Sequence, residues 1–144
     1  MKTVEKSVHI WYSADEMYRL VTDVKAYPDF LPWCDHADIL EQDDQGMLAE
    51  IGISFAGIRQ RFQTRNTHEP DRMVGMQLVK GPFSRLDGRW LLEPLGEQRA
   101  CRVALTLSYG FSGVLGAAIS PVFDKIANTM VEAFVQRAAQ VYGD

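Results

Sequence analysis

The last apolar segment, residues 121–142, constrains the fold more than any other part of the chain. Its apolar residues recur at spacings of three and four, so they share one face of a helix, and polar residues occupy most of the other face. The apolar face consists of Phe123, Ile126, Ala127, Met130, Phe134, Ala138 and Val141. Ser120 is placed to cap the first turn, Pro121 suits the first helical position, and Gly143 is placed to end the helix. At about 1.5 Å per residue the helix spans roughly 33 Å, so it needs a broad apolar surface to lie on.

Alternating apolar and polar residues upstream predict the sheet that supplies this surface. A first strand is expected near residues 3–11, and six more follow between residues 36 and 111, each ended by turn residues. These six lie near residues 37–43, 47–55, 58–68, 73–80, 86–92 and 101–111. Consecutive strands joined by short turns predict an antiparallel meander, which the first strand extends to about seven strands.

Two short helices are expected between the first strand and the others. Ser13 and Glu16 have the spacing of a capping box, which predicts a helix that ends at about Val24. The segment Tyr27–Cys34 carries two prolines, which allow one short helical turn but no longer helix. The fold class that follows is α+β, a curved antiparallel sheet of about seven strands wrapped around a long C-terminal helix. Residues 1–144 are expected to form a single domain.

Residues 112–119 allow two interpretations. They are small and apolar, so they either extend the last helix backwards or form a mobile lead-in to it. Pro121 fits both, because proline is accepted at the first helical position and also at a kink.

Charge and composition exclude several classes of protein. The net charge of -4 argues against a protein that coats DNA or other nucleic acids non-specifically. The chain shows no signal peptide and no apolar run of the roughly 18–20 residues that span a membrane, so we expect a soluble cytoplasmic protein. Cys34 and Cys101 lie far apart and predict reduced thiols. His9, His36 and His68 lack the spacing of metal ligands, so no metal site is predicted.

A long helix gripped by a curved sheet tends to leave an apolar space beneath it, and that space is the candidate binding site. The residues expected to line it are Trp33, Ile51, Ile53, Phe55, Phe62, Met76, Leu78, Trp90, Leu105, Leu107, Tyr109, Phe123, Ile126, Met130 and Phe134. Met76 and Met130 suit a pocket for a flexible ligand, because methionine side chains adapt their shape. The alternative is a plain core, since a domain of this size buries about as many apolar residues in any case.

No motif in the chain indicates catalysis. There is neither a Gly-x-Ser-x-Gly string nor a phosphate-binding loop. An acid–base cyclase would need polar groups inside the pocket, such as Tyr109, Thr64 or Gln60. Such groups are sparse, so the sequence predicts a binding protein with no catalytic residues and no required cofactor, rather than an enzyme.

Several strings, in order along essentially the whole chain, carry a family resemblance. The most specific is Tyr-Pro-x-Phe-Leu-Pro-Trp-Cys at residues 27–34. The others are Leu20–Val24, Ala49–Ile51 with Ile53 and Phe55, Gly81–Phe83 with Leu86 and Trp90, and Ala133–Phe134 with Arg137–Ala138. Together they resemble the START-like helix-grip superfamily and, within it, the coenzyme Q-binding branch that also contains the bacterial ribosome-association toxin.

The resemblance implies a non-catalytic carrier or chaperone for a hydrophobic lipid, first of all a ubiquinone-type quinone, that supports respiration from the surface of the inner membrane. The isoprenoid tail would be buried at about 25 cal/mol per Å² of apolar area. The ring would stack on Trp33 or Trp90. The alternative that the same family implies is a toxin that binds the large ribosomal subunit and blocks subunit joining. A weaker alternative is an enzyme similar to cyclases or dehydratases.

The proline-rich segment also has two interpretations. Phe30, Leu31 and Trp33 either touch a membrane surface transiently at the entrance of the pocket, together with the lead-in around residues 114–119, or plug the end of the core. These alternatives differ in whether the three side chains are exposed.

A basic surface is predicted on one strand, where Arg59, Arg61 and Arg65 share one side. Arg85, Arg89 and Arg102 on neighbouring strands would extend it. It is either an ordinary solvated surface or a site for anionic lipid headgroups or ribosomal RNA phosphates. Aromatic residues are scarce beside these arginines, so any RNA would be bound through its backbone charge.

Overall fold

A seven-stranded antiparallel sheet forms the larger layer of the fold in the computed structural model, which describes residues 2–143. Its strands are β1 (Lys2–Ile10), β2 (Cys34–Asp43), β3 (Gly46–Phe55), β4 (Ile58–Glu69), β5 (Met73–Lys80), β6 (Phe83–Pro94) and β7 (Cys101–Phe111). They lie in the order β1-β7-β6-β5-β4-β3-β2, so the predicted meander is confirmed and β1 closes it by pairing with β7. Register shifts mark bulges in β2, β5 and β6, and bulges bend strands and curve the sheet.

The helices are α1 (Ala14–Thr22), a 3-10 helix (Val24–Asp29) and α2 (Gly113–Tyr142). The predicted capping box begins α1, with the Glu16 amide donating to Ser13 Oγ at 3.2 Å and the Ser13 amide donating to Glu16 Oε1 at 2.9 Å. α2 lies in the concave face of the sheet. The predicted α+β class is therefore confirmed, with both short helices between β1 and β2.

The start of α2 corrects one prediction. The helix begins at Gly113, so Ser120 caps nothing and Pro121 lies inside the helix. The extra turns are held by packing: Ile119 is fully buried, and a side chain at Gly116 would come within 2.8 Å of the Phe111 Cβ. Residues 113–119 thus extend the helix backwards, because the missing side chain at Gly116 lets the helix approach the end of β7 closely.

Both halves of α2 are tied to the rest of the fold by polar contacts. Near its start, the buried Tyr109 hydroxyl donates to Asp124 Oδ1 at 2.7 Å, and Lys2 forms an ion pair with the same carboxylate. At its end, the Tyr142 hydroxyl donates to the Glu16 carbonyl oxygen at 2.8 Å. Gly143 ends the helix as predicted, with φ of 71° and its amide donating to the Ala139 carbonyl. These contacts fix the first half of α2 to the sheet and its last turn to α1.

Candidate functional site

A cavity of about 80 Å³ lies between α2 and the concave face of the sheet. The predicted lining residues that reach it are Trp33, Ile51, Phe62, Met76, Trp90, Leu105, Leu107, Phe123, Ile126, Met130 and Phe134. Aromatic rings close much of the space, since Phe134 packs against Trp90 with ring centroids 4.9 Å apart and against Tyr27 at 5.5 Å. Ligand pockets usually measure about 300–1,000 Å³. The side chains therefore fill most of the space beneath the helix in this conformation.

Four of the predicted lining residues lie elsewhere. Ile53 is fully buried in the core, and Leu78 is partly buried against it. Tyr109 is buried with its hydroxyl bound to Asp124, away from the cavity. Phe55 is 38% exposed at the end of β3. The simple alternation of inward and outward residues did not reveal where the cavity ends along each strand.

An outer groove of about 350 Å³ runs beside the cavity. It is lined by residues 30–33, Phe55 and one side of α2. Trp33 and Ile126 line both spaces, so these two side chains separate the cavity from the groove. Leu31 and Trp33 are buried, so the structure supports the interpretation that the proline-rich segment plugs the end of the core. Phe30 is the half-exposed member, and the Arg137 guanidinium lies 5.1 Å from the centre of its ring.

Two polar residues, Thr64 and Asn66, line the cavity, and the sequence pointed to only the first of them. Thr64 and Asn66 follow each other on the inner face of β4 and are 5% and 8% exposed. The Thr64 hydroxyl donates to Asn66 Oδ1 at 2.7 Å. Thr64 was noted as a polar candidate, whereas Asn66 was missed although it lies two residues further along the same face. Asn66 could have been found from the strand period, because alternate residues of a strand share a face and position 66 follows Phe62 and Thr64 on the inner face.

Burial keeps Tyr27 and the two cysteines of the core in neutral forms. Burial raises the pKa of Tyr27, whose hydroxyl donates to the Val21 carbonyl oxygen. Burial also raises the pKa of Cys34 and of Cys101 to about 11, so neither is a thiolate at neutral pH. Cys34 instead donates to the His36 carbonyl oxygen at 3.3 Å. Among residues 2–143, no three histidine, cysteine, aspartate or glutamate side chains cluster closely enough to hold a metal ion.

The predicted basic surface is mixed in charge. Its arginines are exposed, but each lies within 4 Å of a carboxylate on β2 or β3. The pairs are Arg59–Asp35 at 3.5 Å, Arg61–Glu50 at 3.6 Å and Arg65–Glu41 at 3.9 Å. Glu50 also accepts from Gln63 at 2.9 Å, and this hydrogen bond lowers the pKa of Glu50. The acidic partners lie on β2 and β3, so the positive stripe of β4 does not make the whole face positive.

A long helix in the concave face of a seven-stranded antiparallel sheet, with an apolar cavity between them, defines the START-like helix-grip class. Within residues 2–143, neither α1 nor α2 combines the length and apolar character that a membrane crossing requires. The chain belongs to the family described as polyketide cyclase / dehydrase and lipid transport, whose model matches residues 10–135.

Three similar proteins place the chain within that family. It is 43% identical to the ribosome association toxin RatA of Pseudomonas aeruginosa over 97% of each chain. It is 28% identical to the mitochondrial coenzyme Q-binding protein COQ10 homolog B of Xenopus laevis, over 92% of this chain and 56% of that protein. The Zhui aromatase/cyclase from Streptomyces sp. R1128 has a TM-score of 0.83 and 18% identity, covering 95% of this chain and 93% of that one. The last likeness concerns the fold alone, so the predicted coenzyme Q-binding and ribosome-association branch is confirmed by the first two.

Proposed function

We propose that this chain acts by associating with the ribosome, binding the large subunit and blocking subunit joining. The observation that carries the proposal is the 43% identity to a protein named ribosome association toxin, over 97% of both chains. The identity to the coenzyme Q-binding protein is lower, at 28%. The small cavity of about 80 Å³ also favours a function exerted at the surface. The alternative drawn from the sequence is thus better supported than the quinone carrier.

The arginine stripe of β4 is the surface that we assign to ribosomal RNA. The Arg59 and Arg61 side chains are 80% and 63% exposed, so their ion pairs are solvated and stabilise the fold by at most about 1 kcal/mol. A guanidinium has five N–H donors, and a single carboxylate contact leaves most of them available. Phosphate groups can therefore bind these arginines at little energetic cost.

The test is co-sedimentation with purified large ribosomal subunits over a series of salt concentrations. We expect binding to weaken as salt rises, because each neutralised phosphate releases counterions. The double variant Arg59→Glu/Arg61→Glu should bind more weakly, and the slope of log affinity against log salt should become less steep by roughly 1.4–1.8, at about 0.7–0.9 for each lost phosphate contact.

The matched control reverses two exposed charges elsewhere. Lys6→Glu/Lys25→Glu changes the net charge equally, on β1 and in the 3-10 helix, and β1 is separated from β4 by β7, β6 and β5. It should bind nearly as well as the unmodified protein. Equal effects of the two double variants would remove the stripe as the contact, and absence of any co-sedimentation would remove ribosome association.

A second candidate function is the binding of a ubiquinone-type lipid, without catalysis and without a required cofactor. It is favoured by the apolar lining of the cavity and by the groove beside it, from which only Trp33 and Ile126 separate it. A bound isoprenoid tail would gain about 25 cal/mol per Å² of buried apolar area. The half-exposed Phe30 and the exposed Phe55 in the groove would meet a membrane surface during transfer.

Lipid binding is tested by extracting the purified protein with organic solvent and analysing the extract by mass spectrometry for quinone. Added quinone should also quench the fluorescence of Trp33 and Trp90, which are both buried in the cavity wall. The variant Trp11→Phe removes the background of a tryptophan that is 72% exposed. An extract without quinone, together with unquenched fluorescence of Trp33 and Trp90, would contradict this candidate.

Binding is a better proposal for this site than turnover. The residues that line the cavity include no aspartate, glutamate, histidine or lysine, and its one titratable group, Tyr27, is engaged with the Val21 carbonyl oxygen. General acid–base catalysis needs a group that exchanges a proton near the operating pH. The fold shared with an aromatase/cyclase supplies no such group here.

A further inference from the structure

The inner face of β4 is unusual because part of it is polar where it faces an apolar cavity. Thr64 and Asn66 are the two buried polar residues in the part of the chain that the structure describes. An amide that is buried without hydrogen bonds costs roughly 1–3 kcal/mol. Packing alone would be served better by apolar residues here, so the pair needs another explanation.

The hydrogen bond between Thr64 and Asn66 leaves the amide nitrogen of Asn66 without an acceptor within residues 2–143. The Thr64 hydroxyl donates its only proton to Asn66 Oδ1 at 2.7 Å. This bond orients the amide, so that Nδ2 keeps both of its donor hydrogens. Within residues 2–143, neither hydrogen has an acceptor. Asn66 is nevertheless only 8% exposed, and it lines the cavity.

The neighbours of Asn66 explain why the fold does not satisfy this donor. Its cross-strand partners are Met47 on β3 and Met76 on β5, and a thioether is at most a weak acceptor. The remaining cavity wall is made of aliphatic and aromatic side chains apart from Thr64 and Tyr27. The Tyr27 hydroxyl is already bound to the Val21 carbonyl oxygen. Among residues 2–143, His68 Nε2 is the one fully enclosed polar side-chain atom without a hydrogen-bond partner, so Asn66 Nδ2 is accessible and can donate to a molecule that enters the cavity.

We propose that Asn66, oriented by Thr64, donates a hydrogen bond to an uncharged carbonyl-type oxygen of an apolar ligand that enters from the groove between Trp33 and Ile126. This inference rests on the second candidate function and specifies what the cavity selects. A carboxylate is disfavoured because no lysine, arginine or histidine lines the cavity. A pure hydrocarbon is disfavoured because it leaves the amide unpaired. The space of about 80 Å³ admits the head of such a ligand, and movement of Met76 and Met130 makes room for its body.

A quinone ring and a simple ketone both supply this oxygen, so the experiment separates them. The probes are a hexyl-substituted benzoquinone, a methyl ketone of similar length, hexylbenzene and hexanoate. Quinone binding is followed by quenching of the two remaining tryptophans, Trp33 and Trp90, in the Trp11→Phe background, and the other probes compete against the quinone. We expect the quinone and the ketone to bind about 10–100-fold more tightly than hexylbenzene, the difference that one buried hydrogen bond makes. Comparison of the quinone with the ketone then shows whether the ring itself is recognised.

Asn66→Leu is the decisive variant, because leucine keeps the approximate size and removes the donor. It should bind the quinone and the ketone about 10–100-fold more weakly, with hexylbenzene unchanged. Thr64→Val tests the positioning role and should give a smaller loss of the same preference. Asn128→Leu makes the same chemical change on the exposed side of α2 and should alter no affinity.

The possible failures are distinguishable. If the quinone binds equally to the Asn66→Leu, Thr64→Val and parent proteins, with no preference over hexylbenzene, the assignment of Asn66 is wrong although lipid binding stands. If no probe binds the parent protein, both the lipid-binding candidate and this inference are wrong. Thermal melting of each variant, with and without probe, shows whether it is folded, because a ligand that binds the native state raises Tm.

Discussion

Glu16 joins α1 to the turn after β6 and to the end of α2, and its charge should control acid stability. Arg99 donates to both carboxylate oxygens, from Nε to Oε1 and from Nη2 to Oε2, each at 2.7 Å. The Ser13 amide donates to Oε1 at 2.9 Å, and Tyr142 binds the Glu16 carbonyl oxygen. The hydrogen bonds from Arg99 lower the pKa of Glu16 from 4.5 to about 2. Replacement of this carboxylate therefore tests directly how much the pair of Glu16 with Arg99 stabilises the fold.

The sign and size of the effect follow from that shift. A carboxyl whose pKa is lower in the folded state adds stability that is complete above pH 4.5 and is lost as pH falls towards 2. At about 1.4 kcal/mol per pKa unit the upper bound is about 3.4 kcal/mol. Glu16 is 16% exposed, but the Arg99 side chain is 44% exposed, so solvent screens the pair. We expect Glu16→Gln to lower the free energy of unfolding by about 1–2 kcal/mol at pH 7.

Urea unfolding at pH 7, 5, 3.5 and 2.5 measures this difference. Glutamine keeps an acceptor for the Ser13 amide, so the variant isolates the loss of charge. The gap between the variant and the parent protein should close as pH falls through 4.5 and vanish near 2. Asp15→Asn is the control, because its ion pair with Arg19 is exposed and should contribute about 0.5 kcal/mol or less at any pH. A gap that stays constant from pH 7 to 2.5 would refute the electrostatic account.

Three further predictions concern buried polar groups. Tyr109→Phe removes the donor to Asp124 at 2.7 Å and should cost about 1.5–3 kcal/mol in chemical unfolding, while Lys2 keeps the carboxylate charged. His68 Nε2 is buried without a hydrogen-bond partner within the described chain, and burial lowers its pKa below 6.5. The parent protein should therefore lose Tm as pH drops below 6.5, and His68→Leu should lose less. The two buried cysteine thiols should react with a thiol reagent at pH 8 only after unfolding, and fast labelling of the native protein would contradict their raised pKa.

Patterns that act within a few residues were readable from the chain. The capping box at Ser13, the alternating strands and the helix end at Gly143 are confirmed, because each depends on hydrogen bonds or faces formed by near neighbours. β6 is longer than predicted, spanning Phe83–Pro94, because pairing with β7 continues beyond the apolar alternation. The backward extension of α2 to Gly113 was one of two open alternatives. Contact with Phe111 decides between them, and sequence spacing does not contain that contact.

The charge of the outer face of the sheet likewise depends on contacts between strands that sequence spacing does not contain. The stripe Arg59, Arg61 and Arg65 follows from the period of one strand. The pairing of Arg61 with Glu50 depends on register, which sets Gly52 of β3 opposite Arg61 and Glu50 opposite Gln63. A shift of one residue would turn Glu50 to the other face, so only the paired sheet decides which charges meet.

The sequence by itself determined the architecture. The periods of its apolar residues predict strands and one long helix, and the apolar face of the helix packs against the apolar face of the sheet. It also determined most of the residues beneath that helix. Only the tertiary structure decided how much space remains there, because about 80 Å³ is the difference between the volume the sheet encloses and the volume its side chains fill. The structure likewise decided that Asn66 lines that space with an amide nitrogen that has no acceptor within residues 2–143, because Met47 and Met76 are its neighbours across the strands.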